Sequence, residues 1–278
     1  MGHDVFALHT ISVKEGVKLP FFIKDYQRYV FGDDKLANRF GTDLAKAFVA
    51  RYPALGTTPG TNNTTTNDIA VAILAGYAPT ATYNLREHFT AYLNRHLTSQ
   101  GGRPARKINI AAITDGRAVR REPQTTYVDT HHIDTMYLSD RTLVILGDIR
   151  MRKDQEDLIK ESLGTLKIKN NVVFVYLAAF DEFTNTAAIS CTLSSIVDLQ
   201  LKDIDTIAQS THFKMTEAFA RFVLGREYSE FCRLLRGQDD FFARLLLDYA
   251  IGGGYHEDEL YERNVKFLLW DVDARESV

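Results

Sequence analysis

The sequence predicts an α/β protein, a mainly parallel sheet flanked by helices and followed by a helical C-terminal layer. Two observations lead there. Short, almost unbroken apolar runs recur at 68–76, 107–113, 142–148 and 172–180, as expected of strands buried on both faces of a parallel sheet. Amphipathic helical periods alternate with these runs, and beyond Asp181 the pattern becomes mostly helical.

Composition supports this class and excludes others. The 278 residues carry 33 Lys+Arg and 36 Asp+Glu for a formal net charge of −3, with 45% hydrophobic and 25% charged residues. Such a chain can bury a sizeable core, so it is neither tail-like nor of low complexity. Near-neutrality argues against a surface coated in basic charge for nucleic acid, leaving only local basic patches. The longest apolar runs fall well short of the roughly 20 residues that cross a bilayer, so no membrane role is expected. The N-terminal stretch interrupts its apolar residues with His3, Asp4 and His9 and reads as neither a secretory signal nor an acylation site. Only Cys191 and Cys232 occur, with no CxxC. Free packing thiols in a reducing cytoplasm are the expectation.

Element by element, Asp33 and Asp34 are candidate caps for a helix whose stripe is Leu36, Phe40, Leu44 and Phe48, ending near Tyr52 and Pro53. The Thr-, Asn- and Gly-rich stretch from Leu55 to Asp68 predicts an exposed loop. A strand from Asp68 to Gly76 turns through Tyr77–Thr82 into a helix carrying Leu85, Phe89, Leu93 and Leu97. Further strands run over Lys107–Ile113, Thr142–Asp148 and Val172–Phe180, with a helix from about Asp154 to Leu163. Amphipathic segments then follow, with Gly225, Gly237 and Gly252–Gly254 as stop signals, and Trp270 as a packing anchor. The predicted organisation is a core over 1–181 with an N-terminal extension and a helical region over 182–278 packed on it.

Ligands of open parallel sheets bind beyond the carboxyl ends of the strands. Two segments there have suitable chemistry. In the turn after the first predicted strand, backbone N–H groups at a helix start, with the Thr80 and Thr82 hydroxyls, suit a phosphate; a simple capped turn opened by Pro79 suits the sequence equally. After the Thr142–Asp148 strand, Asp148 suits ribose hydroxyls or Mg2+, and Arg150, Arg152 and Lys153 run into a helix opened by Asp154, Gln155 and Glu156, where phosphate contacts are expected. The alternative is a loop whose charges pair with each other or with water. A basic interval, Arg103, Arg106, Lys107, Arg117, Arg120 and Arg121, reads as a phosphate clamp, a nucleic-acid stripe or solvated surface. The His131, His132 and Asp134 cluster lacks a third spaced ligand and is assigned no role.

These elements and segments resemble the type I phosphoribosyltransferase fold, and within it the bacterial phosphoribosyltransferase-like family of tellurium-resistance and stress operons. The resemblance rests on "YQRYVFGDDKLANRFGTDLA", similar to a Tyr-x-Arg and Phe-Gly-Asp entry segment, and on "GYAPTATYNLREHFTAYLN", similar to a Pro-Thr-Ala turn and its helix. It continues through "LVILGDIRMRKDQED", similar to the strand ending in an acid before the phosphoribosyl pyrophosphate segment, and "VVFVYLAAFD", similar to the next strand. The chain departs from the family pattern at Arg152–Glu156, where Thr-Gly is usual, and at Gly147, where many relatives carry a first acid.

The resemblance implies Mg2+-assisted transfer of a phosphoribosyl group to a base-like acceptor. Tyr77, Pro79, Thr80 and Thr82 would hold pyrophosphate, bridged by Mg2+. Asp148 would contact ribose and metal, and Arg150, Arg152, Lys153, Gln155 and Glu156 would surround the 5-phosphate. Arg103, Arg106 or the Arg117 to Arg121 group would close over the departing pyrophosphate, with Arg117 and Asp148 as the catalytic candidates. Three functions are weighed on this basis: an active phosphoribosyltransferase, a catalytically degenerate nucleotide sensor or effector of a stress or anti-phage module acting through a protein partner, and nucleic-acid binding by the basic interval.

Overall fold

The computed structural model describes residues 3–12, 19–55, 68–113, 130–133, 138, 140–151, 153–181 and 199–277. The chain divides into two compact units. One comprises Met1–Pro20, Asn38–Ala75 and Leu85–Thr192, the other Phe21–Ala37, Gly76–Asn84 and Leu193–Val278.

The first unit is built on a six-stranded sheet of β1 (His3–Ile11), β2 (Ile69–Ala75), β3 (Arg106–Ile113), β4 (Thr130–Ile133), β5 (Thr142–Arg150) and β6 (Val172–Phe180), in the order β1-β6-β5-β2-β3-β4. All neighbours are parallel except β4, which runs antiparallel to β3. The α/β, mainly parallel fold is thus as the sequence predicts. The apolar runs are central because they are buried on both faces. On one face Ala70, Ile108, Leu143, Ile145 and Phe174 pack with Ile159 and Leu163 of α4 (Asp154–Thr165). Buried Phe48 and Phe89 meet with ring centroids 5.5 Å apart. They come from α2 (Asp34–Arg51) and α3 (Ala81–Ser99), which approach closely at Gly41, where an added β-carbon would lie 2.7 Å from the Leu85 carbonyl oxygen. Truncating a buried aromatic such as Phe174 to Ala in this setting costs about 3–5 kcal/mol.

Two strands escape the sequence reading. β1 is an edge strand whose Asp4 and Thr10 are exposed, so it lacks the continuous apolar run of a central strand. β4 has four residues, too few for any period. The chain direction supplies the functional geometry. From β2 it proceeds outward to β3, whereas from β5 it proceeds to β6 on the other side. The sheet therefore reverses its winding between β2 and β5, and the carboxyl ends of those adjacent strands flank the switch point where ligands of open α/β sheets bind.

The second unit is helical, with α1 (Ile23–Val30), α5 (Leu201–Ala208), α6 (Glu217–Leu224), α7 (Tyr228–Arg236), α8 (Asp240–Gly252) and α9 (Glu262–Glu276). Its core gathers Phe31, Phe219, Phe231, Leu246 and Leu268. Gly225, Gly237 and Gly253 occupy the C-cap positions of α6, α7 and α8, as the stop signals predict. Cys232 is partly buried against this core, and Cys191 lies outside the described residues. The expectation for Trp270 is overturned. It is 64% exposed, touching Phe267 at 5.7 Å between ring centroids, because it falls on the outward side of α9 while Val265, Leu268 and Val272 point inward.

The Phe-Gly-Asp segment has a local explanation in this unit. Phe31 is buried, and Gly32 adopts φ +104° with its α-carbon so close to Lys214 that a β-carbon would lie 2.2 Å from that carbonyl oxygen. Asp33 then caps α2, accepting from the Lys35 and Leu36 amides at 3.1 and 3.3 Å, and pairs with Arg28 at 2.7 Å. Of the two predicted caps, Asp33 performs the role and Asp34 is the first helical residue.

Candidate functional site

At the centre of the sheet, β5 lies between β2 and β6, with Leu143–Leu146 buried. This strand delivers Asp148, half-buried, to the carboxyl edge. Its Oδ1 accepts the Ile149 amide at 2.7 Å, which fixes the carboxylate at the strand tip. One residue earlier, Gly147 pairs in register with Tyr176 of β6. A β-carbon at Gly147 would lie 2.6 and 2.7 Å from two carbons of the Tyr176 ring. Any side chain at position 147, an acid included, would meet the Tyr176 ring.

The segment after Asp148 folds onto itself. Arg150 Nε donates to Glu156 Oε1 at 2.5 Å and its Nη2 donates to Oε2 at 2.9 Å, a bidentate pair; the Tyr176 hydroxyl donates to the same Oε1 at 3.0 Å. Glu156 is 2% exposed. The hydrogen bond that Arg150 donates to Glu156 is the main cause raising the pKa of the Arg150 guanidinium above its ordinary value. Burial, then the Glu156 carboxylate, raise Tyr176 well above the tyrosine range. Of the predicted phosphate contacts, Glu156 is thus committed to holding Arg150 and Tyr176. Lys153, at the N-cap of α4, and Gln155, in its first turn, are exposed at the helix start. Arg152 lies outside the described residues. Tyr176 was missed by sequence reasoning, although it is the one polar tip in the run "VVFVYLAAF".

The turn after β2 belongs to the helical unit. Thr80 caps α3, its Oγ1 accepting the Tyr83 amide at 3.3 Å. Pro79 precedes this cap and is not the first helical residue; its carbonyl accepts the Glu217 amide at 2.8 Å. Tyr77 is largely exposed, yet its ring lies so close to Gly252 that a β-carbon there would overlap it. Thr82, in the first helical turn, is half-buried.

Strand direction corrects part of the basic interval. Arg106 opens β3 opposite Ala70, which lies beside Leu143. That is the amino edge of the sheet, five residues or about 16 Å along the strands from Asp148. Arg103 is exposed there and pairs with Asp68 at 3.5 Å. Neither is placed to close over a ligand at the carboxyl edge. Arg117, Arg120, Arg121 and Asp134 lie outside the described residues, as does the Thr- and Asn-rich stretch over 56–67, while His131 and His132 form part of β4.

Magnesium is commonly held by one or two carboxylates together with substrate phosphates. Among the described residues no three His, Cys, Asp or Glu side chains are grouped to hold a metal. At the end of β5, Glu156 is engaged and Gly147 brings no carboxylate, which leaves Asp148. These residues do not build a Mg2+ site of their own.

The parallel sheet, its switch point and the acid at the tip of the central strand define a phosphoribosyltransferase-like α/β protein. The family model described as PRTase ComF-like matches residues 3–268, and the chain belongs to that family. No curated protein matches the chain. Similar solved structures include an asparagine mutant from an analysis of an invariant aspartic acid in HPRTs, at 16% identity and TM-score 0.33, covering 54% of this chain and 78% of that one. Another is hypoxanthine phosphoribosyltransferase from Trypanosoma cruzi in complex with the product IMP, at 15% identity and TM-score 0.32, with coverage of 54% and 78%. Among the described residues no helix is long and apolar enough to cross a membrane.

Proposed function

We propose that the chain binds phosphoribosyl pyrophosphate or a related nucleotide at the carboxyl end of β5, and that it transfers the phosphoribosyl group to a base-like acceptor. The observation that carries this reading is Asp148, a carboxylate fixed at the tip of the central strand beside the switch point. Asp148 accepts hydrogen bonds from ribose hydroxyls; Lys153 and the first-turn amides of α4 attract the 5-phosphate. Thr82 is a further candidate phosphate contact in its own right. In the transfer, the bond from ribose C1 to pyrophosphate oxygen breaks and its electron pair leaves on pyrophosphate. A nitrogen lone pair of the acceptor forms the new bond to C1 and then sheds its proton. Such a reaction needs charge neutralisation and positioning, not a covalent intermediate. Mg2+ would arrive on the pyrophosphate.

A second reading is favoured by one observation: Glu156 neutralises Arg150 while Tyr176 fills the space of a first acid. It takes the chain as a nucleotide sensor or effector that binds the ligand without turnover and acts through a protein partner. Calorimetry with phosphoribosyl pyrophosphate and Mg2+ tests the shared part. Wild type should bind and Asp148→Asn should bind at least tenfold more weakly, the loss of a charge-assisted hydrogen bond. Absence of wild-type binding overturns both readings. Pyrophosphate release with a panel of nucleobases then separates them, since only the transferase releases it.

A further inference from the structure

The single tryptophan of the chain, Trp270, begins an aromatic strip that crosses from α9 to α7 in the helical unit. Its exposed ring meets Phe267 at 5.7 Å between centroids, and Phe267 meets Tyr228 edge-on at 5.4 Å. Phe267 also packs edge-on against buried Phe231 at 6.3 Å, which anchors the strip to the core of its unit. The Arg263 guanidinium lies 4.3 Å from the centre of the Tyr228 ring, within cation–π range. Helical spacing explains the alignment: Arg263, Phe267 and Trp270 recur at four and three residues along α9, and Tyr228 and Arg236 lie eight residues, about two turns, apart on α7.

The charges around the strip are unequally committed. Lys266 pairs with Glu262, Arg275 with Asp271 and Asp240, and Arg244 with Glu276. Arg236 and Arg263 are exposed and have no carboxylate partner among the described residues. The charges of both reach the Tyr228 hydroxyl. Glu230, two residues on from Tyr228, falls on the other side of α7, and Asp273 stands one turn beyond Trp270, at the end away from Arg263. The strip is therefore aromatic at one end and cationic at the other.

We propose that this strip docks an acidic peptide segment of a partner protein. An aromatic or aliphatic side chain of the segment seats on Trp270 and Phe267, and its carboxylates meet Arg236 and Arg263. Trp, Tyr and Arg dominate the energetics of protein interfaces, and the guanidinium fork matches a carboxylate with two parallel hydrogen bonds. Rings already held by the core lose little further freedom on binding. Two uncommitted cations on a chain of net charge −3 are too few for a phosphate track, which favours a peptide over single-stranded nucleic acid. The inference uses no residue of the β5 site and does not depend on the phosphoribosyl reading.

The probe is a labelled peptide of four Glu-Asp-Phe repeats, followed by fluorescence anisotropy and by the emission of Trp270. Wild type should bind it with a change in tryptophan emission, while peptides of Glu-Asp-Ser and of Lys-Lys-Phe repeats should bind at least about tenfold more weakly. Trp270→Ala and the pair Arg236→Ala/Arg263→Ala should each weaken binding at least about tenfold by anisotropy, as expected of interface anchors. Circular dichroism should be unchanged in both, since all three positions are exposed. Asp148→Asn should bind as wild type does, so that failure here is separate from failure at β5. No binding of the Glu-Asp-Phe peptide, equal binding of either control peptide, full affinity in either strip variant, or tighter binding of a thymidine oligonucleotide overturns the inference, as does loss of binding in Asp148→Asn.

Discussion

The ring of Tyr176 lies across Gly147, so close that a β-carbon on that glycine would sit 2.6 Å from a ring carbon. Neither strand backbone yields easily, since β5 and β6 are paired through Leu143–Arg150 and Val172–Ala179. Gly147→Ala should therefore lose about 1–3 kcal/mol from overpacking, and Gly147→Asp more. Combining Gly147→Asp with Tyr176→Ala should recover part of that loss. Denaturant midpoints of the two single variants and the double variant form the cycle. Strict additivity would show that the two side chains do not compete for the same space.

Removing the partner of a buried cation is costly because the charge is left uncompensated. Glu156 is buried and holds both Arg150 and Tyr176. Glu156→Gln should destabilise by about 3 kcal/mol, near the range for breaking a buried pair. Glu156→Gln/Arg150→Met, which removes both charges, should be less destabilised than Glu156→Gln alone. Thermal unfolding of both variants checks the order.

The same cluster has a defined pH window. Tyr176 is raised above its unfolded value, first by burial and then by Glu156. A group raised on folding contributes stability that is complete below its unfolded value and is lost as pH rises through the folded value. The contribution of Tyr176 should therefore hold through neutral and mildly alkaline pH and decline only above about pH 10. Near-ultraviolet titration of wild type against Tyr176→Phe should show one tyrosinate appearing late, together with alkaline unfolding. Its appearance in the ordinary range would contradict the buried hydroxyl.

The Tyr-x-Arg and Phe-Gly-Asp segment should split into unequal parts. Gly32 has φ +104° and meets the Lys214 carbonyl, so Gly32→Ala should lose more than about 2 kcal/mol from left-handed strain plus the clash. Arg28, with a side chain 49% exposed in its pair with Asp33, should cost no more than about 1 kcal/mol on truncation to Ala. Chemical denaturation of both variants measures the contrast.

Legibility followed burial. Strands β2, β3, β5 and β6 were visible because central parallel strands are apolar on both faces, and α2 and α3 because their stripes repeat every four residues. β1 and β4 were hidden by lying at the sheet edges, where half the side chains meet solvent or the strand is short. Asp148 was legible as the first polar residue after a buried run. The roles of Arg150 and Glu156 were not, since a loop of mixed charge gives no sign of which pair will close. Arg103 and Arg106 looked useful as local sequence and proved to lie at the wrong edge, because strand direction is a property of the sheet.

By itself the sequence determined the α/β class, the central strands, an aspartate cap at 33 or 34 and the acid at the tip of β5. Each follows from local periodicity or from a side chain acting on its own backbone. The tertiary structure alone decided that the sheet reverses between β2 and β5, that Tyr176 fills the space over Gly147, and that Trp270 joins Phe267 and Tyr228 in one strip. Those depend on residues far apart in the chain meeting across paired strands and packed helices, where contact is set by register and packing and not by spacing in the sequence.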